Sequence, residues 1–86
     1  MKRYFIKTNG FNMVVFVDAM GKGYIIPDTS FDCELTFENA KNADYSNLNG
    51  CETAEECFYS MGFGEMDDLI IDFDENDPSF ETVIEF

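Results

Sequence analysis

The sequence predicts an α+β domain, built as a mainly antiparallel sheet of about five short strands with one or two helices on one face. Three observations lead there. Both ends of the chain are rich in β-branched and aromatic residues interrupted by Asn, Gly, Asp and Pro. The middle carries a helix-capping signature followed by apolar residues at helical spacing. The 86 residues suffice for one core, so residues 1–86 read as a single domain with an expected radius of gyration of roughly 12 Å.

Arg3 to Lys7 forms the first strand and runs into Thr8-Asn9-Gly10, where Asn and Gly are expected to supply the positive φ of a tight hairpin. Asn12 to Asp18 is the second. Its Met13 to Val17 run is apolar without alternation, as in a central strand or one covered on both faces. Ala19 to Gly23 breaks the chain before a third strand, Tyr24 to Ile26, which Pro27 stops. These three segments make a plausible antiparallel meander.

Thr36 is placed to cap a short helix through Ala43, although Asn39 and Asn42 are poor helix formers. A second helix is predicted from Thr53, whose hydroxyl and Glu56 make a capping box, to a C-terminal cap at Gly62. Ala54, Cys57, Phe58 and Met61 give it one apolar stripe, read as core. The last strands are Asp67 to Asp74 and Phe80 to Phe86. The turn chemistry of Asp74 to Ser79 between them predicts a hairpin. Such a hairpin gathers Asp68, Asp72, Glu81 and Glu85 on one solvent face, fringed by Glu65, Asp67, Asp74, Glu75 and Asp77.

Charge is the strongest functional signal. No Lys, Arg or His follows Lys41, so the whole net charge of -13 resides in residues 42–86, and the first half is neutral. A field of that sign repels nucleic acid and anionic membranes and attracts basic surfaces. No apolar run approaches the roughly 20 residues needed to span a bilayer, and the N-terminus has no secretory pattern. The expected location is therefore cytoplasmic. Cys33, Cys51 and Cys57 form no C-x-x-C pair and have no histidine beside them, which disfavours both a zinc site and a disulfide framework.

Familiar catalytic constellations are missing, so the chain reads as a non-enzyme without cofactor or metal. Asp72-Phe73-Asp74-Glu75-Asn76 begins like a calcium loop, but Asp77 stands where the sharp turn needs Gly and Val83 where a bidentate Glu is required. Weak cation association at Asp72 to Asn76 is the ordinary outcome.

These features point to an acidic interaction protein that blocks a basic, nucleic-acid-binding partner. The expected contact residues are Asp67, Asp68, Asp72, Asp74, Glu75, Asp77, Glu81 and Glu85, with an exposed aromatic such as Tyr45, Tyr59 or Phe63 as anchor. Thirteen carboxylates match about 22 Å of duplex DNA at one charge per ~1.7 Å, comparable with the width of the domain. In small size, strong acidity and lack of catalytic motifs the chain resembles the phage and mobile-element inhibitors that mimic DNA, including anti-CRISPR, antirestriction and glycosylase-inhibitor proteins. Those proteins share no motif or fold, so the resemblance assigns no residue a role. The alternative is a small cytosolic accessory domain whose acidity serves solubility. Either a monomer or a homodimer paired through the C-terminal strand fits the sequence.

Overall fold

A computed structural model describes residues 2–31, 33–43, 45, 56, 58 and 69–86. Its strands are β1 (Lys2–Thr8), β2 (Asn12–Val17), β3 (Lys22–Pro27), β4 (Ile70–Asp72) and β5 (Phe80–Glu85). A 3₁₀ turn (Asp28–Ser30) and one short helix, α1 (Phe37–Asn42), lie between β3 and β4. The five strands form one sheet in the order β4-β3-β2-β1-β5, with every neighbouring pair antiparallel.

The meander β1-β2-β3 follows from local chemistry. At the first turn the Thr8 N–H and hydroxyl both donate to the Phe11 carbonyl, at 2.9 and 2.7 Å. Gly10 alone takes a positive φ there, +136°, so Asn9 does not share that role as the sequence suggested. At the second turn Asp18 Oδ1 accepts from the N–H groups of Met20 and Lys22, each at 2.9 Å, an Asx arrangement that closes the loop. β2 is central, and Met13 to Val17 are all buried, which explains a run without alternation.

Alternate residues of the sheet feed two apolar clusters. Phe5, Val14, Phe16, Tyr24 and Ile26 point to one face, where Leu35, Ala40 and Phe58 join them. We call this the helix face, because α1 lies on it: Phe37 meets Phe5 edge-on at 5.7 Å. Thr36 caps α1 as expected, its hydroxyl accepting from the Asn39 N–H at 3.1 Å. Of the second predicted helix only Glu56 and Phe58 are described. Both are helical, and Phe58 is fully buried against Tyr24 at 5.6 Å; the remainder of Thr53 to Gly62 lies outside the described residues. The Arg3 guanidinium sits over the rings of Tyr45 and Phe86, 4.8 and 4.7 Å from their centroids.

The opposite face carries Tyr4, Ile6, Met13, Val15 and Val17, packed against Ile25, Phe73, Phe80 and Val83. Here the structure corrects the predicted C-terminal hairpin. β4 and β5 occupy opposite edges of the sheet and, through four antiparallel steps, run parallel to each other. Residues 73–79 must therefore cross the sheet, about 19 Å at ~4.8 Å per strand spacing. A hairpin with the three-residue β4 would leave both the second edge of β1 and the apolar second face uncovered. Pairing β5 with β1, from Tyr4↔Glu85 to Thr8↔Phe80, covers the edge, and the crossing segment covers the face.

Two aromatic rings fasten the crossing. Phe73 stacks on Tyr4 at 4.8 Å and lies 6.2 Å from Phe80, while its N–H donates to the Gly21 carbonyl at 2.9 Å. The segment can settle here because Gly23 lacks a side chain. A Cβ at that position would stand 3.1 Å from Val15 Cγ1 and 3.2 Å from both Ile71 Cγ1 and Phe73 Cβ.

Candidate functional site

The crossing segment consists of two consecutive turns, each begun by an aspartate. Asp74 Oδ1 accepts from the Asn76 N–H at 2.9 Å, and the Asp77 N–H returns to the Asp74 carbonyl at 3.0 Å. Asp77 Oδ1 then accepts from both the N–H and the hydroxyl of Ser79, at 2.8 and 2.7 Å, and the Phe80 N–H reaches the Asp77 carbonyl at 3.0 Å. Pro78 occupies the second position of this turn, where its fixed φ is suited. The bonds from Ser79 hold the Asp77 carboxyl below the usual carboxylate range, hydroxyl first and N–H second, so it stays ionised in mildly acid solution. Glu75 projects from the first turn and is exposed.

The eight carboxylates expected at the contact surface do not share a hairpin face. Asp67 and Asp68 lie outside the described residues. Asp72 ends β4 opposite Lys22, in the register of the helix face. Asp74, Glu75 and Asp77 ride on the crossing segment. Glu85 pairs opposite Tyr4 and so faces the crossing side, while Glu81 occupies the irregularity where the β1-β5 register shifts between Lys7 and Thr8.

Asp18 also belongs to this side, which its place in the neutral half of the sequence concealed. It lines a cleft of about 560 Å³ together with Lys2, Tyr4, Asp74 and Glu75. Lys2 pairs with Val17 and is the one basic residue on the crossing side among the described residues. Arg3 and Lys7 have the register of Phe5, Lys22 that of Tyr24, and Lys41 belongs to α1, so four of the basic residues lie toward the helix face. Among the described residues the crossing side therefore sets six carboxylates (Asp18, Asp74, Glu75, Asp77, Glu81 and Glu85) against one lysine, whereas on the helix side Glu38 and Asp72 stand with the four bases.

A second cleft of about 720 Å³ opens beside residues 77–81. Met13, Ile25, Ile71 and Phe80 give it apolar walls, Phe11 stands at the tip of the first hairpin, and Asp72, Asp77 and Glu81 also line it. Phe11 is 48 % exposed, and among the described residues it and Met20 are the exposed large apolar side chains. The sequence reading overlooked it; an aromatic residue directly after an Asn-Gly turn was the available signal. Of the proposed aromatic anchors, Tyr45 is engaged instead in the helix-face packing. Its hydroxyl donates to the Ala40 carbonyl at 2.8 Å, and burial pushes its pKa up to about 12, with Arg3 pulling the other way. Tyr59 and Phe63 lie outside the described residues.

Among the described residues no three His, Cys, Asp or Glu side chains are grouped to hold a metal ion, and no helix is long and apolar enough to cross a membrane. Cys33 is exposed as a free thiol; Cys51 and Cys57 lie outside the described residues. Compared with protein-family models, curated proteins and solved structures, the chain matches none.

Proposed function

We propose that this protein is a non-enzymatic, cytosolic binder that occupies the nucleic-acid-binding surface of a basic protein, using the carboxylates of its crossing side. In its strong form the mechanism is polyanion mimicry of the kind used by anti-CRISPR and antirestriction inhibitors. The observation that carries the reading is the excess of carboxylates on the crossing side: among the described residues Asp18, Asp74, Glu75, Asp77, Glu81 and Glu85 lie there with Lys2 as the sole basic residue beside them. A partner's Lys and Arg groups would exchange phosphates for these carboxylates, giving fast association that weakens with salt.

One observation favours the alternative, an accessory domain whose acidity serves solubility. Asp18, Asp74 and Asp77 each cap a turn, so their presence has a local explanation. Glu75, Glu81 and Glu85 make no such bond among the described residues and are the informative positions. The test is a low-salt pull-down with salt elution, repeated with Glu75→Lys combined with Glu81→Lys. Recovery of a nuclease, repressor or polymerase by the native protein, lost in the double variant, supports the proposed function. Equal recovery by both proteins rejects the crossing side as the contact surface.

A further inference from the structure

We infer that the cleft between Phe11 and residues 77–81 receives an arginine side chain flanked by apolar residues, presented by the basic partner. This inference rests on the proposed acidic-face reading and specifies how that face would hold its target. A surface that imitated a polyanion by charge alone would have no use for an exposed phenylalanine, yet Phe11 stands beside the cleft at 48 % exposure. The apolar walls suit the aliphatic stem of a long cationic side chain, and the carboxylates suit its head. Asp77 Oδ1 is already occupied by Ser79, which fixes the carboxylate while its other oxygen remains free to accept.

Charge complementarity decides the occupant. Nucleic acid and a second copy of this chain, with its net charge of -13, are both repelled by Asp77 and Glu81. Arginine fits better than lysine, because a planar, weakly hydrated guanidinium stacks on an aromatic ring and pairs with carboxylates from its edge. The cleft is open to solvent and, at about 720 Å³, has room for an arginine side chain together with its apolar neighbours.

The probe is a short peptide alternating leucine and arginine, titrated into protein labelled with ¹⁵N and with ¹³C at its methyl groups, at low salt. The expected result is saturable shifts of the Met13, Ile25 and Ile71 methyl signals, absent with a peptide in which citrulline replaces arginine. Phe11→Ser should weaken binding about fivefold through the lost ring contact. Glu81→Gln, at an exposed position, should weaken it roughly two- to fivefold and serves as the second variant should Phe11→Ser fail to fold. Undiminished binding by a folded Phe11→Ser protein overturns the inference, as do shifts confined to the amides of Glu75 and Glu85. In those cases the acidic face still binds cations and the broader reading survives. If a glycine-arginine peptide of equal charge also fails to bind at low salt, the acidic-face reading itself falls.

Discussion

Truncating Phe73 to alanine should loosen the crossing segment and destabilise the whole domain. The ring stacks on Tyr4 at 4.8 Å and on Phe80 at 6.2 Å, and it packs against the cluster formed by Ile6, Met13, Val15 and Val17. Complete burial of a phenylalanine makes its replacement by alanine cost about 3–5 kcal/mol. Phe73 is only partly buried, so about 3 kcal/mol, the lower end, is expected here. For a domain of this size each kcal/mol lowers Tm by roughly 4–8 °C, giving a fall of about 12–24 °C. Thermal and urea denaturation followed by circular dichroism measure it, with Phe73→Leu as a milder companion that keeps most of the apolar volume. Amide exchange adds a topological readout: the Phe73 and Phe80 N–H groups should lose protection before those of β2. A Tm loss under about 4 °C, or unchanged exchange at residues 73–80, would show that the crossing is not held as described.

Two further predictions concern pH. Because the Tyr45 pKa is about 12 in the folded protein and near 10 unfolded, its contribution is fully present below pH ~10 and lost as pH rises through about 12. The stability advantage of the native protein over Tyr45→Phe, measured by urea unfolding, should shrink across that window; a constant difference refutes it. Asp77 has the opposite sign. Its folded pKa is lowered, so its contribution is present above the unfolded value of about 3.9 and lost as pH falls through the folded one. Ser79→Ala removes the hydroxyl donor and should move the Asp77 carboxyl part of the way back up in a ¹³C NMR titration, whereas an unmoved midpoint would exclude that bond as the cause.

The parts of the fold that were legible are those encoded within a few residues. Thr8-Asn9-Gly10 and Asp18 with Gly21 and Lys22 close their hairpins through local hydrogen bonds, and Thr36 caps α1 by reaching three residues ahead. The unbroken Met13 to Val17 run marked the central strand because both of its faces had to be apolar. Strand pairing at the C-terminal end was not legible. Alternation in residues 67–74 and 80–86 announces strands, but it does not name their neighbours, which are chosen by long-range packing. Asp74 to Ser79 read as a reversal because Asn, Asp and Pro favour turns. Two turns in succession redirect the chain twice and carry it across the sheet instead. Grouping carboxylates by parity assumes that the two strands are neighbours, and for that reason it joins Asp72 to Glu85, which the sheet places on opposite edges and faces.

Placing β5 beside β1 also sets the order in which the molecule can be assembled. The pairing joins residues 72 to 81 positions apart, a high-contact-order closure that slows folding relative to the meander. At synthesis rates of about 5–20 residues per second, β1 leaves the peptidyl-transferase centre roughly 4–15 s before β5 is made. Until β5 docks, the outer edge of β1 at Tyr4, Phe5 and Ile6 is an unpaired strand edge, a template for association with another chain. Conditions that delay docking of β5 should therefore lower the yield of this protein through association of chains.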